Sequence, residues 1–272
     1  MKIDVILPTY NRRAFLPKAI ESIRAQTFRD WRLLVVNDGG EDVADIVSGF
    51  GDPRLVHFDR PHAGKAAQLN FALDQVTADY VAYMDDDDEV FPEHLEKLLS
   101  AARDHNADFV YSDTYLTLLD RNGDVIKRGP ENTLDAPYEE IRIFNRVNHK
   151  QILHTRVLGE KVGRYDETMR VLIDFDYIKR LAKAAVRPFH LREITGEHFL
   201  RQDPISGSWA SITGLWTSDP PVVGESLLAL FRKDPAALTA LYLQARRDSK
   251  RLARIEERRD RFKSWIRRLF GR

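Results

Sequence analysis

Four consecutive aspartates, Asp85 to Asp88, followed by Glu89, are the residues of this chain whose type and spacing point most directly to chemistry. Carboxylates this close repel one another and hold protons unless a metal, an arginine or a lysine neutralises them. With hard oxygen donors and no cysteine in the sequence, the fitting metals are Mg²⁺ or Mn²⁺ rather than zinc. A second pair, Asp174 and Asp176, introduces an expected helix. One of the two suits a cap, and the other could be a general base for a sugar hydroxyl.

The elements that must position these acids are legible as periodic runs. Tyr80-Val81-Ala82-Tyr83-Met84 reads as a buried strand, so the acids stand at its C-terminal end, where open α/β sheets place ligands. Further strands are expected at 3–7, 31–36, 55–58 and 109–118, the last turning back at Asn122-Gly123. Helices are expected at 17–25, 43–50, 65–75, 92–104 and 175–185, with a loop-rich stretch at 196–221. The alternation predicts an α/β fold with a mostly parallel sheet covered by helices on both faces.

Three strand ends then share one edge: Thr9-Tyr10-Asn11, Asp38 and the acid run. Asp38 could accept a hydrogen bond from a nucleobase N–H, and Tyr10 could stack on the base. Taken singly, Asn37-Asp38-Gly39-Gly40 is an ordinary turn sequence. His62-Ala63-Gly64-Lys65 precedes a helix, where backbone N–H groups and Lys65 could meet a phosphate or a substrate hydroxyl. It is not a P-loop, and the dinucleotide glycine fingerprint is absent too. His198 and Arg201, expected in a loop, could touch a pyrophosphate. A calcium loop starting at Asp85 fails because Val90 stands where glycine is needed. A haloacid-dehalogenase-like phosphatase remains an alternative, although its acid pair wants Thr or Val where Glu89 stands.

Composition bounds the rest. The 272 residues are 43% hydrophobic, enough for one large α/β domain with an appendage, divided here as 1–205 and 206–272. No apolar run approaches the roughly 20 residues of a membrane span, and the expectation is a cytoplasmic protein. The formal net charge of zero hides an asymmetry: residues 246–272 hold twelve Lys or Arg against four Asp or Glu. Leu252, Ile255, Phe262, Ile266, Leu269 and Phe270 recur there at helical spacing. Such a basic amphipathic helix suits an anionic membrane surface, and equally suits packing on the body or pairing in a homodimer. No nucleic-acid partner is expected.

Several ordered motifs over residues 1–205 together resemble family 2 of the glycosyltransferases, with the Rossmann-like GT-A fold. Val5-Ile6-Leu7-Pro8-Thr9-Tyr10-Asn11 looks like the family's opening strand and nucleotide-binding loop. Val35 to Gly40 is similar to the motif whose Asp contacts the base, and Gly64-Lys65-Ala66-Ala67-Gln68-Leu69-Asn70 to the helix that follows, with Gln68 where many members have Arg. Met84 to Pro92 looks like the metal motif, and Val162 to Glu167 like its Gly-x-Phe-Asp-Glu segment with Tyr165 for Phe. Ile173-Asp174-Phe175-Asp176 resembles the Glu-Asp-x-Asp motif, with Asp174 on the position of the catalytic base.

The resemblance implies inverting transfer of a sugar from a nucleotide diphosphate sugar, a UDP- or dTDP-sugar by preference, to a saccharide or lipid-linked acceptor hydroxyl in surface polysaccharide or glycolipid synthesis. It implies a donor site of Pro8, Thr9, Tyr10, Asn11, Asp38, Gly64, Lys65, Asn70, Asp85 and Asp86. Mn²⁺ or Mg²⁺ would be held by Asp87 with Asp85 and His198, and the tail would keep the enzyme at the inner face of a membrane. A homologue that binds nucleotide sugar without turnover is the remaining alternative.

Overall fold

The computed structural model describes residues 1–120, 122–131, 147–169 and 172–201. They lie within the unit Met1–Gly207; the expected C-terminal helical region, its basic tail included, lies outside them. In chain order the elements are β1 (Ile3–Thr9), α1 (Leu16–Arg24), β2 (Trp31–Asn37), α2 (Ala44–Gly49), β3 (Leu55–Asp59), α3 (Lys65–Asp74), β4 (Tyr80–Tyr83) and β5 (Glu89–Val90). There follow α4 (His94–Asp104), β6 (Phe109–Leu119), β7 (Val125–Glu131), a 3₁₀ turn (His149–Gln151), β8 (Ile152–Thr155), α5 (Arg156–Val162), α6 (Ile173–Ala184) and β9 (Pro188–Arg201).

The strands form one sheet in the order β3-β2-β1-β4-β8-β6-β9-β5, with β7 paired to β6. The run β3-β2-β1-β4 is parallel, as the alternation of strand and helix requires. Beyond β4 the sheet becomes mixed, because β8 enters antiparallel between β4 and β6 while β6 and β9 run parallel. The expected hairpin at Asn122-Gly123 joins β6 to β7, and Gly123 takes φ +87 there.

Alternation along the strands sends apolar side chains to two cores. Ile3, Val5 and Leu7 of β1 meet Leu16, Ile20, Leu95 and Leu98 from α1 and α4 on one face. Ile6, Leu34, Val36 and Tyr83 meet Leu69 and Ala72 of α3 and Ile178 and Leu181 of α6 on the other. Burial on both faces explains why β1 and β2 read as continuous apolar runs.

One expected loop is a strand. Residues 196–201 belong to β9, so His198 and Arg201 sit on a strand paired with β6, with His198 opposite Leu116. The polar side chains of this segment hid the strand from a hydrophobicity reading.

Candidate functional site

β1 and β4 part at their C-terminal ends, the crevice position at which open α/β sheets bind ligands, called the cleft below. Their pairing ends at Ile6 opposite Tyr83, with one further bond from the Met84 N–H to the Ile6 carbonyl at 2.9 Å. Pro8 lies past that point and is tolerated in a central strand because β4 no longer needs an N–H from it. The sheet order reverses here, since β2 and β3 lie on one side of β1 and β4 on the other. Thr9 bridges the gap, its Oγ1 donating to Asp86 Oδ2 at 2.7 Å.

The four acids have different partners. Asp85 Oδ1 accepts from Lys65 Nζ at 2.7 Å; burial opposes the Asp85 charge, but Lys65 holds its carboxyl below the usual range. Asp86 and Asp87 share Arg12, whose Nη1 is 3.3 Å from Asp86 Oδ1 and bonded to Asp87 Oδ2. Burial and the Asp87 charge push Asp86 up to about 7, and burial with Asp88 raises Asp87. Asp88 is turned inward: Lys150 Nζ lies 2.8 Å from its Oδ2, both side chains are buried, and the Phe199 N–H donates to Oδ1 at 2.9 Å. Asp88 and Lys150 thus fasten the acid loop to β9 and the 3₁₀ turn.

Asp38 is 4% exposed, and its carboxylate is already heavily used. It accepts from the Ala63 N–H at 2.8 Å, from the Gly64 N–H at 3.0 Å and from the Gln68 amide, and its Oδ2 lies 2.9 Å from His62 Nδ1. The expected base acceptor therefore first ties the loop before α3 to the end of β2, with Gln68 as an anchor. Tyr10, 43% exposed, stacks on His62 with ring centroids 4.4 Å apart and planes 21° apart. The glycines of the Asp38 turn are needed: Gly40 has φ +80, and a Cβ there would sit 2.1 Å from Asn11 Oδ1. That oxygen accepts the Glu41 N–H at 3.0 Å, so Asn11 joins the two strand-end loops.

Asp174 comes to the same cleft from α6. Burial works against the Lys65 charge, yet Asp85 and Asp174 together hold it above the ordinary lysine value. Asp174 Oδ1 accepts the Phe175 N–H at 2.8 Å. Asp176 instead pairs with Arg180 at 2.9 Å and is 5% exposed, so neither acid is a side-chain cap to the N-terminus of the helix. Just before them Leu172 adopts φ +56, a left-handed conformation that a branched apolar residue rarely takes and that marks sites whose surroundings impose it.

Asn70 is spent elsewhere. It donates to the Tyr165 carbonyl at 3.0 Å and to Glu167 at 2.7 Å and accepts the Tyr165 N–H at 2.8 Å, which clamps the 163–167 segment to α3. Gly64 caps α3 with φ +96 and offers its N–H to Asp38. His198, on β9, receives a hydrogen bond from Asn148 Nδ2 on its Nδ1 at 2.9 Å, and it lies close enough to Asp87 to favour that carboxylate's charge. Sequence reasoning missed Arg12, Lys150 and His149. His149 is buried against Tyr83, ring centroids 4.1 Å apart, and burial followed by Lys65 lowers its pKa to about 4, so it is neutral.

The donors fit a hard divalent cation in type. Two of the acids, Asp86 and Asp87, are held above their usual pKa range by burial and by the charges of neighbouring acids, the excess of negative charge that such an ion relieves. Among the described residues no three His, Asp or Glu side chains surround one point. A bound ion would therefore complete its shell with phosphate oxygens and water, as these metals do at phosphate sites.

Comparison with known proteins gives consistent matches. The family model described as Glycosyl transferase family 2 matches residues 4–165. The chain is 31% identical over 189 residues to a Bacillus subtilis (strain 168) protein described as the uncharacterized glycosyltransferase YwdF, covering 67% of this chain and 69% of that one. It is 32% identical over 117 residues to the glycosyltransferase GlyA of Streptococcus pneumoniae serotype 4, covering 42% and 17%. Among solved structures, S. aureus TarS 1–349 in complex with UDP-GlcNAc superposes with a TM-score of 0.61 at 19% identity, over 76% of this chain and 61% of that one. The mannosyltransferase PcManGT from Pyrobaculum calidifontis, in complex with GDP-Man and Mn²⁺, gives 0.59 at 15% identity over 90% and 71%. At these identities the likeness shows the GT-A fold alone.

Proposed function

The chain belongs to glycosyltransferase family 2, and on that premise we propose that it transfers a sugar, with inversion, from a nucleoside diphosphate sugar to an acceptor hydroxyl, using Asp174 as general base. The observation that supports this is that Asp174 and Asp85 both act on the Lys65 ammonium, which bonds Asp85 at 2.7 Å beside the end of β4. A carboxylate there takes the acceptor proton while the oxygen attacks the anomeric carbon from the face opposite the leaving diphosphate. Thr9, Lys65, Asp85 and Asp86 line the donor side, and the exposed face of Tyr10 offers a stacking surface to the base. Mn²⁺ or Mg²⁺, held by Asp87 without the expected support of Asp85 and His198, which do not gather with it around one point, would supply Lewis-acid stabilisation of the charge that develops on the diphosphate.

The donor is a UDP- or dTDP-sugar by preference, and the acceptor a saccharide or lipid-linked hydroxyl of surface polysaccharide or glycolipid synthesis. The basic segment 246–272 would hold a cytoplasmic enzyme at an anionic membrane surface, with pairing of two copies as the other use of that segment. No described helix is long and apolar enough to cross a membrane.

A thermal-shift panel of UDP-, dTDP- and GDP-sugars with Mn²⁺ or Mg²⁺ tests the donor class, because a ligand that binds only the folded state raises the melting temperature. A metal-dependent shift with one nucleotide class, followed by release of its nucleoside diphosphate, is the expected result. Turnover of a simple phosphomonoester with no response to any sugar nucleotide would contradict it.

A further inference from the structure

Charge matching across the acid run assigns a role to Arg12. Asp85 has Lys65, and Asp88 has the buried Lys150. The two acids between them, Asp86 and Asp87, share one guanidinium. A divalent ion in place of Arg12 would bring a second positive charge to these carboxylates. Arg12 reaches the acids from a separate segment. It sits on the turn between β1 and α1, its side chain is 22% exposed, and the contact to Asp86 is the longer one at 3.3 Å. The turn itself is fixed by its backbone, since the Arg12 carbonyl accepts the Phe15 and Leu16 N–H groups at 3.0 and 3.3 Å. The guanidinium can therefore leave the acids without the loop unfolding.

We infer that Arg12 is the resident counter-cation of Asp86 and Asp87, occupying the cleft before a divalent ion arrives and competing with it for Asp87. The inference rests on the assignment of Asp87 to metal binding made above. The arrangement keeps two buried like charges compatible with a folded, metal-free protein. It also frees a guanidinium, a bidentate partner for phosphate, as the metal enters.

Direct Mn²⁺ binding to the full chain, followed by electron paramagnetic resonance without any nucleotide, tests this with wild type, Arg12→Gln, Arg12→Lys and Asp87→Asn. Arg12→Gln should bind Mn²⁺ roughly tenfold more tightly than wild type, the size expected when one charge-assisted hydrogen bond no longer competes. Arg12→Lys, which keeps the charge but loses the planar fork, should fall between them. In chelator the melting temperature of Arg12→Gln should drop, and Mn²⁺ should restore more of it than it adds to wild type. If Arg12→Gln and Arg12→Lys bind Mn²⁺ no better than wild type while Asp87→Asn loses it, Arg12 is not a competitor and the metal assignment stands. If Asp87→Asn binds like wild type, or no variant binds, the metal assignment falls and this inference with it.

Discussion

Lys65 Nζ lies 2.7 Å from Asp85 Oδ1, joining the first residue of α3 to the first acid after β4. The contact brings together two segments that follow different strands of the parallel half of the sheet. It also sets the charge facing Asp174, which acts on the same ammonium.

Lys65→Met should therefore act on turnover more than on folding. The Lys65 side chain is 38% exposed as a whole, so loss of its ion pair costs less stability than loss of a fully buried one. The substitution leaves Asp85 without its cation, and kcat/KM should fall by about tenfold to a hundredfold, the range of one charge-assisted hydrogen bond. Steady-state kinetics beside a urea melt separates the two effects. A large loss of stability with kcat/KM intact would contradict the assignment.

Lys150→Met should do the reverse. It strands Asp88 in the interior, and removing one partner of a buried ion pair costs about 3–5 kcal/mol. Combining it with Asp88→Leu, which removes both charges, should recover part of that loss in equilibrium urea unfolding. No recovery would mean that the pair is not the source of the cost.

The parallel core was legible because its strands are continuous apolar runs and its helices carry clear 3.6-residue spacing, as in Ala19, Ile20 and Ile23. The second half was not. β8 is four residues long, β5 two, and β9 carries Glu193, Glu197 and His198 along its length. Such strands are specified by partners distant in the chain rather than by their own pattern. The same holds at the site. The acids, Asp38 and Lys65 announced themselves by position after strands, but nothing in the spacing of Arg12 says that it reaches acids 74 and 75 residues away. The division of labour between Asp174 and Asp176 likewise depends on Arg180, which only the folded helix presents.

Acid should destabilise the fold through its buried imidazoles. Burial lowers His94 to about 3 and His149 and His154 to about 4, all below the ordinary 6.5. Below pH 6.5 the unfolded chain takes up protons that the folded chain refuses, so stability is complete above that pH and lost on the way down to about 4. Each histidine contributes up to about 1.4 kcal/mol per pH unit. Asp86, raised to about 7, and Asp87, also raised by burial and Asp88, act in the opposite sense over part of the range and offset part of this loss. The urea midpoint should fall between pH 7 and pH 5, and a midpoint that rises would contradict the neutral, buried state of these rings.

Gly40→Ala should disturb the donor loop without touching a charged group. The new methyl would meet Asn11 Oδ1 at 2.1 Å in a backbone with φ +80. A lowered melting temperature with weaker nucleotide binding is expected. Unchanged values for both would show that the two strand-end loops are not locked together.

The most direct test of the account is calorimetry of the sugar nucleotide identified by thermal shift, with Mn²⁺, on Asp174→Asn and Asp87→Asn, beside release of nucleoside diphosphate by the same proteins. The account predicts that Asp174→Asn binds donor with nearly the wild-type Kd and does not turn it over, while Asp87→Asn loses the metal-dependent part of binding. Loss of donor affinity in Asp174→Asn, or turnover that persists without it, would contradict the role of Asp174 as the base.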